Sequence, residues 1–284
     1  MLRELRGHAG KALFARVAGP DGPAVRARIH DTPGPRWFEP DRPIRTVHGD
    51  ASMFIGGISA LLLQSLHPLA MAAVAAHSGF RGDPWGRLQR TSTFLAVTTY
   101  GTADDAQRAV DHVRGIHERI RGRTAEGLTY HAADPHLLGW VHAAETDSFL
   151  RAHQRYGAHP LDDADYDAYV ADAARVAEAL GVVDPPLDRR SLSARLSAYR
   201  PELRATAEAR ATARFLLLQP PIPLAVRPFY TGLAANAVAV LPPWARELLR
   251  LPRLPVVEDL AVRPVGRALT GAIRWAMTPP PASS

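Results

Sequence analysis

The 284-residue sequence contains no cysteine. Disulfides, zinc–thiolate centres, iron–sulfur clusters and thiolate-ligated heme are therefore excluded, because each of them needs a cysteine sulfur. A metal would have to be held by histidine, carboxylate or another oxygen ligand. All 12 histidines fall between His8 and His159, so a histidine-ligated site must lie in the first part of the chain.

Lysine is nearly absent as well: Lys11 is the only one, although the formal net charge is +6. Arginines carry the positive charge, and they are interleaved with Asp and Glu instead of forming a basic tract. Nucleic-acid binding, which relies on such a tract or face, is not expected. GxGxxG, P-loop, HExxH and GxSxG motifs are also missing, so nicotinamide enzymes, NTPases and serine hydrolases have no support.

Charged residues are missing from Ala51 to Phe80, a run of thirty residues. This length invites a transmembrane interpretation, but Gly56-Gly57, Gln64 and Pro68 argue against one continuous span. Proline interrupts a helix by removing a hydrogen-bond donor and clashing with the preceding turn. We expect two buried helices broken before Pro68, able to line a heme or lipid pocket, and we do not favour membrane contact.

The overall pattern predicts an all-α fold. The expected domain is a single multi-helix unit with buried core helices over residues 46–277. Residues 1–45, rich in Pro and Gly, form an irregular arm after a short first helix, anchored by Trp37-Phe38, and residues 278–284 form a disordered tail. The N-terminus lacks the apolar core of a secretory signal, so a cytoplasmic protein is expected.

Two predicted helices at the centre of the chain carry the main candidate residues. Asp83-Pro84 has the chemistry of a helix start, and Arg87 and Thr91 are four residues apart, on one face. A second helix begins near Thr102. Its core-facing stripe is formed by Ala106, Val110, Val113, His117 and Ile120. An inward histidine is either a hydrogen-bonded core residue or a metal or heme ligand, and the spacing leaves both open.

A third helix, after Asp134-Pro135, places His142 and Glu145 on one face. A di-iron carboxylate bundle would need two Glu-x-x-His motifs and two further glutamates. Only a reversed His-x-x-Glu is present, so the pair is interpreted as structural, or as giving His142 a role in a pocket.

An ordered set of short motifs then resembles a known family. The motifs are Gln64-Ser65-Leu66-His67-Pro68, Asp83-Pro84, Arg87-x-x-Arg90-Thr91, His117-x-x-Ile120-x-Gly122, Tyr130-x-Ala132-x-Asp134-Pro135 and Trp140-Val141-His142. Over roughly residues 45 to 250 the chain resembles the MpaB/rubber-oxygenase catalytic-domain family, whose best-understood members are the latex-clearing proteins. The resemblance implies an all-helical protein with a globin-like core that binds heme b and uses dioxygen.

The resemblance also implies roles for individual residues. His117 matches the proximal iron ligand, and Arg87 and Thr91 match a polar, catalytic pair beside the heme on its other side. Arg90 stands where latex-clearing proteins have a lysine, but arginine keeps its proton and should not ligate iron. His142 is expected to contact the cofactor. The acidic residue that latex-clearing proteins carry on the helix before the Arg-x-x-x-Thr motif has no counterpart between Leu66 and His77.

The leading hypothesis is a b-type heme-dependent oxygenase that acts with dioxygen on an apolar small molecule, an isoprenoid or a secondary metabolite. The alternative is a non-catalytic heme- or lipid-binding helical protein. A third hypothesis is a purely structural or peripheral-membrane interaction protein that holds no cofactor.

Overall fold

Helices account for almost all of the regular structure, which confirms the predicted all-α fold class. The computed structural model describes residues 2–77, 82–124 and 126–278. In chain order the helices are α1 (Leu2–Ala18), α2 (Gly22–Asp31), α3 (Pro43–Gly49), α4 (Met53–Gln64), α5 (Pro68–His77), α6 (Pro84–Tyr100), α7 (Ala103–His117), α8 (Pro135–Tyr156), α9 (Asp163–Leu180), α10 (Arg189–Tyr199), α11 (Ala207–Leu218), α12 (Arg227–Val240), α13 (Pro243–Leu249), α14 (Pro255–Val257) and α15 (Arg263–Met277). An antiparallel hairpin, β1 (Arg121–Arg123) with β2 (Thr129–His131), joins α7 to α8.

The three central helices begin at the residues that the sequence predicts. The first backbone N–H groups of a helix have no partner within it, and a capping side chain satisfies one of them. Each cap accepts a backbone N–H from the first turn: Asp83 from Gly86 at 2.8 Å, Thr102 from Asp105 at 3.1 Å, and Asp134 from His136 at 2.8 Å. These caps fix where α6, α7 and α8 start, and therefore which residues face inward.

The uncharged stretch forms α4 and α5, and the predicted break before Pro68 is confirmed. Trp140 of α8 is fully buried beside this break, and its indole N–H donates to the carbonyl of Gln64 at 3.1 Å. The bond satisfies a carbonyl at the end of α4 that has no partner within the helix. Residues 78–80, the end of the stretch, lie outside the described residues.

Within the described ranges, no single helix is both long enough and apolar enough to cross a membrane. Taken together, α3 and α4 satisfy that test, but they are bent by 92° where they meet. Ile55, Leu62 and Leu63 of α4 have no exposed surface. The predicted burial of this segment in the protein core is therefore confirmed for α4.

The N-terminal segment contains more helix than the sequence predicts. The expected first helix is α1, but α2 also forms inside the segment predicted to be irregular. Gly22-Pro23 begins α2, because the fixed φ of proline suits the first helical turn and its missing N–H is not needed there. Phe38 is 3% exposed, and Arg175 donates to the carbonyl of Trp37 at 3.0 Å. The predicted anchoring by Trp37-Phe38 is confirmed.

Two further elements were not expected from the sequence. The hairpin has strands of three residues each, too short for a visible alternation of polar and apolar residues. The helix α12 lies in a region for which no helix was predicted. The C-terminal tail predicted to be disordered lies outside the described residues beyond Thr278.

Candidate active-site cavity

A cavity of about 120 Å³ lies among α3, α6, α7, α8 and α9. Its wall is mostly apolar, with aromatic and aliphatic side chains from all of these helices except α7. The lining consists of Ile44, His48, Phe94, Leu95, Thr98, His117, Leu138, Val141, His142, Glu145, Thr146, Phe149, Tyr169, Ala173, Val176, Ala177, Leu180 and Val182. Three histidines and one glutamate in so apolar a space make it the candidate active site.

His117 is the last residue of α7 and reaches the cavity from the helix stripe that the sequence predicts. Ala106 and Val110 of the same stripe have no exposed surface. Burial lowers the pKa of His117, so the imidazole is neutral at pH 7. Its Nδ1 atom is buried and has no hydrogen-bond partner among the described residues. A neutral imidazole with an uncommitted nitrogen is suited to binding a metal.

His142 enters the same cavity from α8. Burial, together with the charge of Arg195, lowers its pKa to about 4. Its Nδ1 lies 3.4 Å from the hydroxyl oxygen of Thr146, whereas its Nε2 is buried without a partner in the described part of the chain. The cavity therefore contains two neutral histidines, each with one unpaired ring nitrogen.

His48, from α3, was not identified from the sequence. Both of its ring nitrogens face hydroxyl groups: Nδ1 is 2.9 Å from Oγ1 of Thr99, and Nε2 is 3.5 Å from the phenol oxygen of Tyr169. Burial lowers its pKa to about 4. Because both nitrogens have polar neighbours, His48 is less available for a ligand than His117 or His142.

Glu145 is the carboxyl group of the cavity. Burial raises its pKa to about 7, because the apolar surroundings disfavour the charged form. Its carboxyl forms no hydrogen bond or ion pair with the described residues. The sequence pointed to the His142–Glu145 pair by its spacing, but gave no sign that both residues reach the space that His117 enters.

The predicted polar residues of α6 lie outside the cavity lining. Thr91 lies one helical turn before the lining residue Leu95, roughly 6 Å along the axis. Arg87, one turn further back, shares that face, and its pKa is lowered by burial and by the charge of Arg90. Thr91 and Arg90 are exposed. Arg90 pairs with Asp83, with its Nη1 atom 3.2 Å from the carboxylate. The structure thus brings His117 and His142 together and leaves Arg87, Arg90 and Thr91 beside the cavity.

The donors in the cavity match the single protein ligand that a heme iron needs better than the ligand set of a bare metal ion. At about 120 Å³ the cavity is smaller than the roughly 300–1,000 Å³ of typical cofactor pockets, so its walls must move apart to admit a heme. Among the described residues, the group of three metal-ligating side chains close enough to hold an ion is His67, His136 and Glu202, outside this cavity. The cavity histidines and Glu145 do not meet that distance condition. Heme iron already has four porphyrin nitrogens and needs one axial ligand from the protein. An uncommitted, neutral imidazole such as that of His117 meets this requirement.

A larger cleft of about 330 Å³ lies elsewhere, between the end of α8 and the segments from α12 to α15. Its lining includes five arginines and no histidine. Arg246 in its wall is buried and paired with Glu258. Without a histidine in its lining, this cleft does not match the predicted chemistry.

Comparisons with known proteins bear on the same region. Residues 45–275 match the family model described as "ER-bound oxygenase mpaB/B'/Rubber oxygenase, catalytic domain". Two mycobacterial proteins, "Uncharacterized protein Mb2261" of Mycobacterium bovis and "Uncharacterized protein Rv2237" of Mycobacterium tuberculosis, are each 37% identical over 100 residues. Each match covers 35% of this chain and 38% of the relative's length. No solved structure matches.

Proposed function

The chain belongs to the MpaB/B′ and rubber-oxygenase catalytic-domain family, and from this membership we propose that it is a heme b-dependent oxygenase. Its proposed substrate is an apolar small molecule, an isoprenoid or a secondary metabolite. The observation that carries the proposal is the apolar cavity in which His117 keeps a buried, uncommitted ring nitrogen.

His117 would bind the heme iron, and His142 would contact the heme from α8. When bound, the heme would supply the activation of dioxygen. Arg87 and Thr91 share the α6 face that continues into the cavity. The guanidinium of Arg87 suits a propionate carboxylate, and the hydroxyl of Thr91 can donate a hydrogen bond. Arg90 would contribute positive charge without ligating the iron, because a guanidinium is a donor with no acceptor.

Glu145 is proposed to move a proton during the reaction. A general acid or base works best when its pKa is near the working pH, and burial raises the pKa of this carboxyl to about 7. A carboxylate oxygen would accept a proton from bound substrate and return it to the product. Glu145 thus offers, from α8, the carboxyl group that is missing between Leu66 and His77. This supports an enzyme over the non-catalytic heme- or lipid-binding alternative.

The apolar wall would determine the substrate class. Phe94, Leu138 and Phe149 present hydrocarbon surface to the cavity, which favours an apolar ligand through removal of its surface from water. The same wall keeps water from Glu145 and so maintains its raised pKa.

Absorption spectra of the purified protein, oxidised and reduced, combined with a pyridine hemochrome assay, test the cofactor. The expected result is a histidine-ligated heme b spectrum, directly or after addition of hemin. Incubation with squalene or farnesol under air and under argon, with products analysed by mass spectrometry, tests the activity. Oxidised product under air alone is expected. A protein that takes up no hemin would overturn the proposal, and a heme protein without oxygen-dependent product would favour the non-catalytic alternative.

A further inference from the structure

Outside the cavity, three metal-ligating side chains from distant parts of the sequence meet at one place. His67 lies at the break between α4 and α5, His136 lies in the first turn of α8, and Glu202 ends the 3-10 turn Arg200–Glu202. Each residue offers one ligand atom, and these three atoms all lie within 4.8 Å of one another.

The contacts centre on the Glu202 carboxylate. His136 Nε2 lies 2.9 Å from Oε1 and 2.8 Å from Oε2, and His67 Nε2 lies 3.3 Å from Oε2. Ligands of a tetrahedral zinc ion lie about 2.0–2.2 Å from the metal, and hence roughly 3.3 Å from one another. Small side-chain rotations would therefore convert these hydrogen-bonding distances into coordination of one ion.

The backbone around the three residues is held in place. The phenol of Tyr199 donates to the carbonyl of His136 at 2.8 Å, and the two rings are 4.7 Å apart. On the other side, Arg204 N–H donates to the carbonyl of Leu66 at 2.9 Å, which ties the segment after Glu202 to the α4–α5 break. The ligands are thus presented by segments that are already fixed, as a metal site needs.

His67 adds an independent observation. Its side chain is only 3% exposed, and its Nδ1 atom is buried with no partner in the described ranges. Burial lowers its pKa, although the nearby Glu202 carboxylate acts in the opposite direction. Among the described residues, the hydrogen-bond partner of its ring is Glu202, through Nε2. A buried histidine turned toward a half-exposed carboxylate and a second histidine has the arrangement of a metal ligand.

We propose that His67, His136 and Glu202 bind one divalent transition-metal ion, with Zn²⁺ as the best-matching ion. Two imidazoles and one carboxylate suit zinc, and a water molecule would complete the tetrahedron. His136 and Glu202 are 53% and 42% exposed, which gives the ion a route from solvent. The ion would join the α4–α5 break to the start of α8 and to the segment before α11. None of these residues lines the candidate active-site cavity, so the proposal stands independently of the proposed function.

Zinc titration of the full-length protein tests the site. After removal of metals with EDTA, calorimetry should show one Zn²⁺ per chain, and Zn²⁺ should raise the melting temperature, because a ligand that binds the folded state stabilises it. Co²⁺ in place of Zn²⁺ should give the visible absorption of tetrahedral cobalt. The measurements are made with and without added hemin, and both should give the same zinc stoichiometry.

Variants at the exposed ligands connect the binding to these residues. His136→Ala and Glu202→Gln should each weaken Zn²⁺ binding by at least about 100-fold, whereas His112→Ala, at an exposed histidine of α7, should bind like the wild type. His67→Ala is avoided because a cavity in the core could unfold the protein. The proposal is overturned if the wild type binds no Zn²⁺ at millimolar concentration, or if both variants bind it normally. The three residues would then be a hydrogen-bonded group only.

Discussion

The imidazoles of His117 and His142 open into the same cavity from two different helices, α7 and α8. Each ring is buried enough to be neutral, and each has one ring nitrogen without a described partner. The cavity therefore offers two histidine donors to a ligand. The proposed function gives the role of heme ligand to His117. In His142, Nδ1 lies 3.4 Å from the hydroxyl oxygen of Thr146 and Nε2 is the unpaired nitrogen.

Replacing each histidine in turn should distinguish them. We expect His117→Ala to lose heme on gel filtration, and added imidazole to restore part of the bound spectrum by occupying the vacated axial position. His142→Ala should retain heme with at most a shifted spectrum, and His112→Ala, outside the cavity, should match the wild type. Heme retained with unchanged ligation in His117→Ala, together with heme loss in His142→Ala, would assign the axial position to His142.

The inward position of His117 was predictable because it depends on one helix. A capped start at Thr102 and an apolar stripe at helical spacing determine which face is buried, and both are local properties of the sequence. The break before Pro68 was predictable for the same reason, since proline acts on its own helix. These local rules account for the starts of α5, α6, α7 and α8 and for the direction in which His117 points.

Glu145→Gln should separate cofactor binding from turnover. Glutamine keeps the size of the side chain but cannot accept a proton, so the variant should bind heme as the wild type does. If Glu145 moves a proton in the reaction, oxygen-dependent product formation should fall by about 100-fold or more. Unchanged turnover in a fully heme-loaded Glu145→Gln protein would remove Glu145 from the mechanism.

The same substitution should change how stability depends on pH. Burial raises the pKa of Glu145 from 4.5 to about 7, so the folded state holds this proton more tightly than the unfolded state. The contribution of this bound proton to the free energy of unfolding is complete below pH 4.5 and is lost as the pH rises through 7. By linkage the loss amounts to about 3 kcal/mol as an upper bound. The unfolding free energy of Glu145→Gln minus that of the wild type should therefore be larger at pH 8 than at pH 4.5. Urea unfolding of the two heme-free proteins measures this difference. Parallel curves for the two proteins would show that the pKa is not raised.

The set of residues that line the cavity could not be predicted from the sequence in the same way. His48 comes from α3 and Tyr169 from α9, and only the packing of these helices against α8 brings them to His142 and Glu145. Helical spacing tells which side of a helix is buried but not which other helix it meets. The trio of His67, His136 and Glu202 was hidden for the same reason, since its members are separated along the chain by other helices.

Among the ion pairs of the described residues, Arg246–Glu258 should cause the largest loss of stability when one partner is removed. Their side chains are 6% and 11% exposed, with Arg246 Nη1 3.2 Å from a carboxylate oxygen and the Leu254 N–H donating to the other at 3.0 Å. Arg246→Met leaves a buried carboxylate without its cation, which costs about 3–5 kcal/mol. Urea unfolding at pH 7 measures this loss.

Two controls make that result interpretable. The double variant Arg246→Met/Glu258→Leu should be less destabilised than Arg246→Met alone, because no unpaired charge remains. Arg108→Met removes a surface pair with Asp105, whose arginine is 68% exposed, and should cost less than about 1 kcal/mol. Equal losses for Arg246→Met and Arg108→Met would contradict the importance of burial.

Neighbouring glycines of α4 allow the packing beneath the cavity to be tested. A Cβ atom at Gly56 would lie 2.9 Å from Cδ1 of Phe149 in α8, whereas one at Gly57 would meet no atom within 4 Å. Alanine favours a helix by about 1 kcal/mol over glycine, so Gly57→Ala should be neutral or slightly stabilising. At Gly56 the clash should outweigh that gain and destabilise the protein by about 1–3 kcal/mol.

The effect of Gly56→Ala should extend to the cavity, because Phe149 also lines it. Displacement of Phe149 moves the wall next to Glu145, one helical turn earlier on α8. We therefore expect Gly56→Ala to weaken hemin binding, measured by titration of the heme-free protein, while Gly57→Ala leaves it unchanged. Identical melting temperatures and hemin affinities for the two variants would mean that α4 and α8 are free to move apart at this point, and that the cavity wall does not depend on their close approach.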